Sequence, residues 1–470
     1  MPDNRLLRLT SARQARATAR PGNLLPGGLL VIRVLALAVM LLTASCASQG
    51  QIRNSSLSTA GSTSSYALIQ AQSRERDSRT NFTLALSGGG TRAAAFAYGV
   101  LRGLRDTPMS GNQHNSLLDE LDAITSVSGG SFTAAYYGLH GAGIFDTFEA
   151  DFLRRNLERS LIKKVLSPLG WFDKRGRTDD AISLYDKYIF ADATFSDLNR
   201  EDGPLILLNA TDISTGVRFT FVQEYFDMLC SDLGSFPIAS AVTASSAVPL
   251  LFHPVVIENR NDCDSELPRW IKRAQRRATN NPELEITING LNRFYEKDSN
   301  RYLHLLDGGI TDNLGLRSIY DFVELIGGAR AFLRVLRHDT PERIVVISVD
   351  ASNDPDTAIG ESPGYPGAAA TIDVMSNIQL HRYNATTEKL IDEMLSKWSS
   401  ELSTDSKPVE YYFISLDFKQ LQDPDDVYYL NNIPTTFTLS DEQVDRLIEA
   451  GESTLRNHPE FKRLMQDLGV

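Results

Sequence analysis

The chain has 470 residues, of which 42% are hydrophobic and 23% charged, and a formal net charge of -12. That is ample apolar material for a buried core, at a length that ordinarily makes two or three domains. The acidic balance argues against nucleic acid as the main partner, because a polyanion calls for a basic face.

The first 45 residues differ from the rest. They hold six arginines (Arg5, Arg8, Arg13, Arg16, Arg20 and Arg33) against one acid, Asp3. The uncharged apolar run 34–42 follows, too short to span a bilayer, and basic-then-apolar is the form of a signal peptide. The run ends in Thr43-Ala44-Ser45-Cys46, which resembles the lipobox of bacterial lipoproteins, with Thr43 where that motif usually has Leu. The resemblance implies a signal peptide over 1–45 and a diacylated Cys46 as the new N-terminus. It also implies a lipid-anchored bacterial membrane protein facing the periplasm or the cell exterior. Ala47 after the cysteine, where Asp would retain such a protein, points to an outer membrane. An uncleaved membrane anchor is the alternative. Residues 46–80 open on a Ser-, Thr-, Gly- and Gln-rich stretch that buries little apolar surface, so they are expected to form a flexible tether.

From residue 81, apolar strand-like runs alternate with helical stretches. Strands are predicted at 82–86, 123–127, 205–209, 219–222, 302–306 and 344–349, with helices over 92–105 and from 129 through Tyr137. The last of these strands is nearly all β-branched, as a strand buried on both faces should be. After residue 352, prolines and glycines mark a loop. A long helix over 371–402, a strand over 411–416 and a helix from Asp441 to about Arg456 follow, the last opened by a capping box at Ser440. Residues 81–352 read as the main domain, and 353–470 as an extension of the same domain. Repeated strand, glycine turn and helix predict an α/β sheet with helices on both faces.

Three glycine-marked turns end predicted strands, where open α/β sheets place their ligands. Ser126-Val127-Ser128-Gly129-Gly130-Ser131 has the form of a nucleophile elbow, a sharp turn that exposes a hydroxyl at a helix N-terminus. Gly88-Gly89-Gly90-Thr91-Arg92 offers backbone N–H groups free of side chains, a nest for a phosphate or an oxyanion. The dinucleotide and P-loop fingerprints are not satisfied. Asp307-Gly308-Gly309 places an acid beside glycines, either as a turn-former or as a base.

Together these residues resemble the patatin-like phospholipase family. The family pairs a Gly-rich oxyanion loop and Arg with a Gly-x-Ser-x-Gly nucleophile and an Asp-Gly-Gly/Ala base. Ala210-Thr211-Asp212, the stretch 244–254 and Ile433-Pro434-Thr435-Thr436-Phe437 also look like the family. Ser126 stands where the first glycine of the nucleophile motif is usual, and Ala93 where a glycine often follows the Arg. The resemblance implies a patatin-like three-layer sandwich with a mainly parallel central sheet. It implies a serine lipolytic acyl hydrolase of the phospholipase A or lysophospholipase kind, acting on membrane lipid through an acyl-enzyme. Ser128 would be the nucleophile and Asp307 its base; Gly88, Gly89 and Gly90 would form the oxyanion hole, with Arg92, Gly130 and Gly309 in support. Arg92 would brace the loop or meet a phosphate. His253 and His304 read as structural. The rival readings are a non-catalytic membrane scaffold on the same fold, and a hydrolase of non-lipid esters or thioesters.

A Ser–Asp dyad needs no cofactor, and no Cys-x-x-Cys, His-Glu-x-x-His or EF-hand spacing suggests a metal. With Cys46 acylated, Cys230 and Cys263 remain as an even pair that an exported protein could oxidise to a disulfide. Finally, Arg269, Lys272, Arg273, Arg276 and Arg277 cluster beside Trp270 in an otherwise acidic protein. They read as a solvated helix face, or as a mouth element resting on anionic head groups.

Overall fold

The computed structural model describes residues 50–57, 66–68, 79–109, 116–156, 176–249, 251–263, 266–354, 363–365 and 367–470. The signal-peptide reading and Cys46 lie outside the described residues. The strands in chain order are β1 (Ser55–Ser56), β2 (Thr80–Leu86), β3 (Ala123–Val127), β4 (Leu205–Asp212), β5 (Val217–Thr220), β6 (Ser231–Asp232), β7 (Val255–Glu258), β8 (Tyr302–Asp307), β9 (Arg343–Val349) and β10 (Glu410–Leu416). The helices that matter below are α1 (Gly90–Arg105), α2 (Gly129–His140), α3 (Ile238–Ser245), α4 (Arg269–Ala278), α5 (Arg317–Ile326), α6 (Ala329–Leu336), α7 (Ala368–Leu402) and α8 (Asp441–Asn457).

One sheet runs β10-β9-β2-β3-β4-β8-β7, with β5 on the extended end of β4. Its first five strands are parallel. The pairings of β5 and β8 with β4, and of β7 with β8, are antiparallel. Successive side chains along a strand leave on opposite faces. In β2, Leu84 and Leu86 enter one core while Ala85 between them enters a second; in β9, Val345 and Ile347 enter the first, and Ile344 and Val346 the second. Both faces are therefore covered, which is why these strands read as unbroken apolar runs. Residues of α1, α2 and α8 complete the first core, and residues of α5, α6 and α7 the second. The protein is an α/β three-layer sandwich with a mainly parallel central sheet.

The strands and helices read from the sequence lie within a few residues of the observed bounds, and the Ser440 capping box forms with Gln443. Two regions differ. The short edge strand β7 gives too brief a signal to stand out. Residues 50–57 and 66–68, part of the expected tether, pack on the domain. Asn54 is buried and donates to Ser231 Oγ at 2.7 Å and to the Glu258 carbonyl at 2.8 Å. Tyr66 is 1% exposed and its hydroxyl donates to the Ile206 carbonyl at 2.9 Å. This stretch docks mainly through hydrogen bonds, which composition does not reveal. Cys230 and Cys263 are joined as a disulfide, closing a 33-residue separation that contains α3.

Candidate active site

β3 ends at Val127, and Ser128 makes the turn into α2 with φ 50 and ψ -118. A non-glycine residue at such angles is strained by roughly 1–3 kcal/mol, held in place by its surroundings. The turn can be this tight because Gly129 has no Cβ: one built there would lie 2.0 Å from the Gly90 carbonyl oxygen. The elbow thus sits directly on the glycine loop that ends β2.

Asp307 arrives from the other direction. β8 is antiparallel to β4, and Asp307 pairs with Ala210, one residue beyond the Asn209 that pairs with Val127. β4 outruns β3, so its extra length carries β8 down to the level of the elbow. The Ser128 hydroxyl donates to Asp307 Oδ2 at 2.9 Å, and the Gly309 N–H donates to Oδ1 at 2.8 Å. Burial pushes the Asp307 carboxyl up to about 6, against the lowering pull of the Gly309 N–H and the Ser128 hydroxyl. An acid of that strength is mostly ionised at neutral pH and still basic enough to take a proton from a serine.

In the glycine loop, Gly89 and Gly90 have φ of 139 and 63, which favour glycine. Among the described residues no acceptor meets the N–H of Gly89, Gly90 or Gly129. The Ser128 hydroxyl, the Asp307 carboxyl and the unpaired amides therefore come together at the carboxyl end of the sheet.

The sequence model of the patatin-like phospholipase family matches residues 84–320. The chain belongs to that family. No curated protein matches it. Among solved structures it is similar to human GIVD cytosolic phospholipase A2, at 13% identity and a TM-score of 0.42, over 86% of this chain and 62% of that one. It is likewise similar to the same human enzyme in complex with methyl gamma-linolenyl fluorophosphonate, at 14% identity and a TM-score of 0.40, over 86% and 61%. The chain thus spans less than two thirds of the length of these structures.

Within this patatin-like site, two sequence expectations are refined. Gly88 is not a free donor: its N–H donates to the Asn313 carbonyl at 2.9 Å, so it anchors the loop to the segment after Asp307. Arg92 is 2% exposed, and its guanidinium donates to the carbonyls of Ala351 at 2.8 Å and Ile433 at 2.6 Å. Burial lowers it to about 10, offset in part by Asp350. Of the two roles the sequence left open, the geometry matches bracing. Arg92 clamps the glycine loop to the C-terminal segment, where the Thr436 carbonyl also accepts from the Thr91 N–H at 3.0 Å. Gly130 lies beneath the elbow, and its N–H donates to the Ser87 carbonyl at 3.2 Å. Neither His253 nor His304 bonds the dyad; the His253 carbonyl accepts from Thr178, and the His304 N–H donates to Asp212.

Sequence reasoning passed over a set of buried hydroxyls behind Ser128. Ser245, at the end of α3, accepts from the Ser128 N–H at 2.9 Å and donates to the Asn209 carbonyl at 2.6 Å. With its proton so engaged, it accepts from Ser131 at 2.9 Å. Ser126, in place of the usual glycine, reaches Ser131 at 3.1 Å. The departure at Ser126 is thus absorbed into a hydrogen-bonded chain. Only the serine-rich stretch around Ser245 hinted at this, because partners 117 residues apart leave no local pattern.

The basic cluster lies on α4, which packs against α5. Arg277 donates to the carbonyls of Glu324 and Leu325, at the C-terminal end of α5. Near the start of α5, Ser318 meets Thr125 at mid-strand in β3. By Phe322 and Val323 it has reached the amino ends, over Ala123 and Leu205. The helix carrying Arg273 and Arg276 is therefore tied to α5 through Arg277.

Among the described residues no helix is long and apolar enough to cross a membrane, and no cluster of three His, Cys, Asp or Glu side chains is placed to hold a metal ion.

Proposed function

We propose that the protein is a serine acyl hydrolase that cleaves ester bonds of membrane lipids through Ser128 and Asp307. The observation that carries this reading is the 2.9 Å hydrogen bond from the Ser128 hydroxyl to a buried carboxylate, at a strained elbow packed on unpaired glycine amides. Asp307 accepts the serine proton as Oγ attacks the ester carbonyl. The N–H groups of Gly89 and Gly90, with that of Gly129, stabilise the oxyanion, and protonated Asp307 returns its proton to the departing alcohol. Water, deprotonated by the same carboxylate, then releases the fatty acid and restores the serine.

A lipid substrate is supported by exposed apolar side chains on the segments that follow site residues in the chain: Ile310, 50% exposed in the short helix Gly309–Asp312 after Asp307, and Leu251, 54% exposed after the Ser245 stretch. The lipobox resemblance supports anchoring through Cys46 at an outer membrane, which would hold the site near bilayer lipid. A fluorophosphonate should label wild type at Ser128 and spare Ser128→Ala. Profiling on phospholipid, lysophospholipid, triacylglycerol and short esters should show turnover of long acyl esters. Labelling without turnover would mark the scaffold reading, and turnover of short esters alone the non-lipid one. A Cys46→Ala protein that still sediments with membranes after a carbonate wash would overturn the lipid anchor.

A further inference from the structure

Below the second face of the sheet, at the amino ends of the strands, lies a cavity of about 310 Å³ that the proposed chemistry does not use. Its floor follows from register. Val346, Thr83, Ala123 and Leu205 form one row across β9, β2, β3 and β4, all facing the same side. The two central members are small and the outer two large, so the row is hollow in the middle. Phe322 of α5, Leu333 of α6 and Trp398 of α7 roof it. They bridge the hollow and do not fill it.

The cavity is separate from the dyad. Between them, on the same face, the Thr125 hydroxyl donates to the Gly315 carbonyl at 2.8 Å, Asn209 Nδ2 donates to Thr125 Oγ1 at 2.8 Å, and the Thr220 hydroxyl donates to Asn209 Oδ1 at 2.7 Å. This layer of mutually satisfied groups closes the floor toward Ser128.

A space lined by Leu, Val, Phe and Trp side chains gives water few of the two to four partners it needs, and its volume falls at the lower end of ligand cavities, roughly 300–1,000 Å³. Polar groups gather at the opening. Asp122 accepts from the Phe82 N–H at 2.7 Å, and Asp339 interacts with His338. Arg337, exposed at the end of α6, has no carboxylate within ion-pair distance among the described residues. An apolar interior with an unpaired cation at its mouth is complementary to a long-chain carboxylate. We propose that this cavity is a second lipid site that takes a free fatty acid, chain inward against Trp398 and carboxylate at Arg337. The site stands on its own geometry and does not depend on the hydrolase reading.

The test uses the full chain carrying Ser128→Ala, titrated with a long-chain fatty acid brominated in mid-chain, since bromine quenches a tryptophan it touches. Saturable quenching is expected, and Trp398→Phe should abolish it, because Trp398 lines the cavity. Ala123→Leu, which fills the hollow row, should weaken binding about tenfold or more. In an otherwise wild-type chain the same change should leave short-ester hydrolysis intact, which shows that the fold survives. Arg337→Gln, a surface change, should weaken the acid several-fold and leave its methyl ester unaffected. Absence of saturable quenching, or quenching that survives Trp398→Phe, overturns the site. A methyl ester or brominated lysophospholipid that binds as tightly as the acid overturns the carboxylate assignment.

Discussion

The two ends of the central sheet are built on opposite principles. At the carboxyl end, strands stop in glycines, a non-glycine residue is held at φ 50, and polar groups are buried in mutual contact: Ser128, Asp307, Ser245, Asn209. At the amino end the strands carry valine, leucine and small side chains, the helices above are apolar, and a space is left open. Parallel strands bury both faces, so any polar group they carry must find a partner, and partners are concentrated where loops converge. The Ser128–Asp307 pair therefore sits at the end where the backbone is least regular, while the regular end retains room for apolar matter.

The strongest way to break this contrast is at the dyad. Ser128→Ala should lower ester turnover by on the order of 10⁶, and Asp307→Asn by on the order of 10⁴, with the fold intact by circular dichroism. Comparable losses from Ala123→Leu would mean that the two ends are not independent.

The second expectation concerns pH. Activity should rise as pH passes through about 6, where the Asp307 carboxyl ionises, and level off above it. Stability should move the other way. Because this carboxyl holds its proton more tightly folded than unfolded, its contribution is fully present below the unfolded value of 3.8 and lost as pH rises through about 6. Asp307→Asn should therefore be more stable than wild type at neutral pH by about 3 kcal/mol, and equal to it near pH 3, as read from urea midpoints. A variant less stable at neutral pH would show that the ionised carboxylate supports the fold.

Ser245→Ala sharpens the comparison at finer scale. It leaves the Ser128 N–H and the Asn209 carbonyl short of a partner, at about 1–3 kcal/mol. Turnover should fall about tenfold to a hundredfold with KM nearly unchanged, because the elbow is displaced while the lipid-facing surface is not. A change confined to KM would assign Ser245 to substrate binding.

The smallest effect is expected at the far end. Neutralising Arg273 and Arg276 together should leave turnover of anionic vesicles and of a short ester unchanged, since their helix is tied to α5 by Arg277, which is kept. A selective loss on vesicles would return this face to the membrane.

Much of this was legible in the chain itself. The runs 82–86, 123–127 and 344–349 are continuous enough in apolar residues to declare buried strands, and glycines starting two residues after Leu86 and Val127 mark the turns where a loop can approach a reacting group. Those features are local, set by side-chain size and backbone freedom over a few residues. Ser128, Asp307 and the glycine loop could be named for that reason. What remained was decided by pairing over long separations. No local signal shows that β8 runs antiparallel to β4 and so delivers Asp307 to the elbow from above, or that Gly88 spends its N–H on Asn313. The same holds for Ser245 behind Ser128, 117 residues away, and for Val346, Thr83, Ala123 and Leu205 forming one hollow row. Sequence determines which residues are fit for strand, turn or catalysis; which of them meet depends on strand order and register, and only the folded sheet sets those.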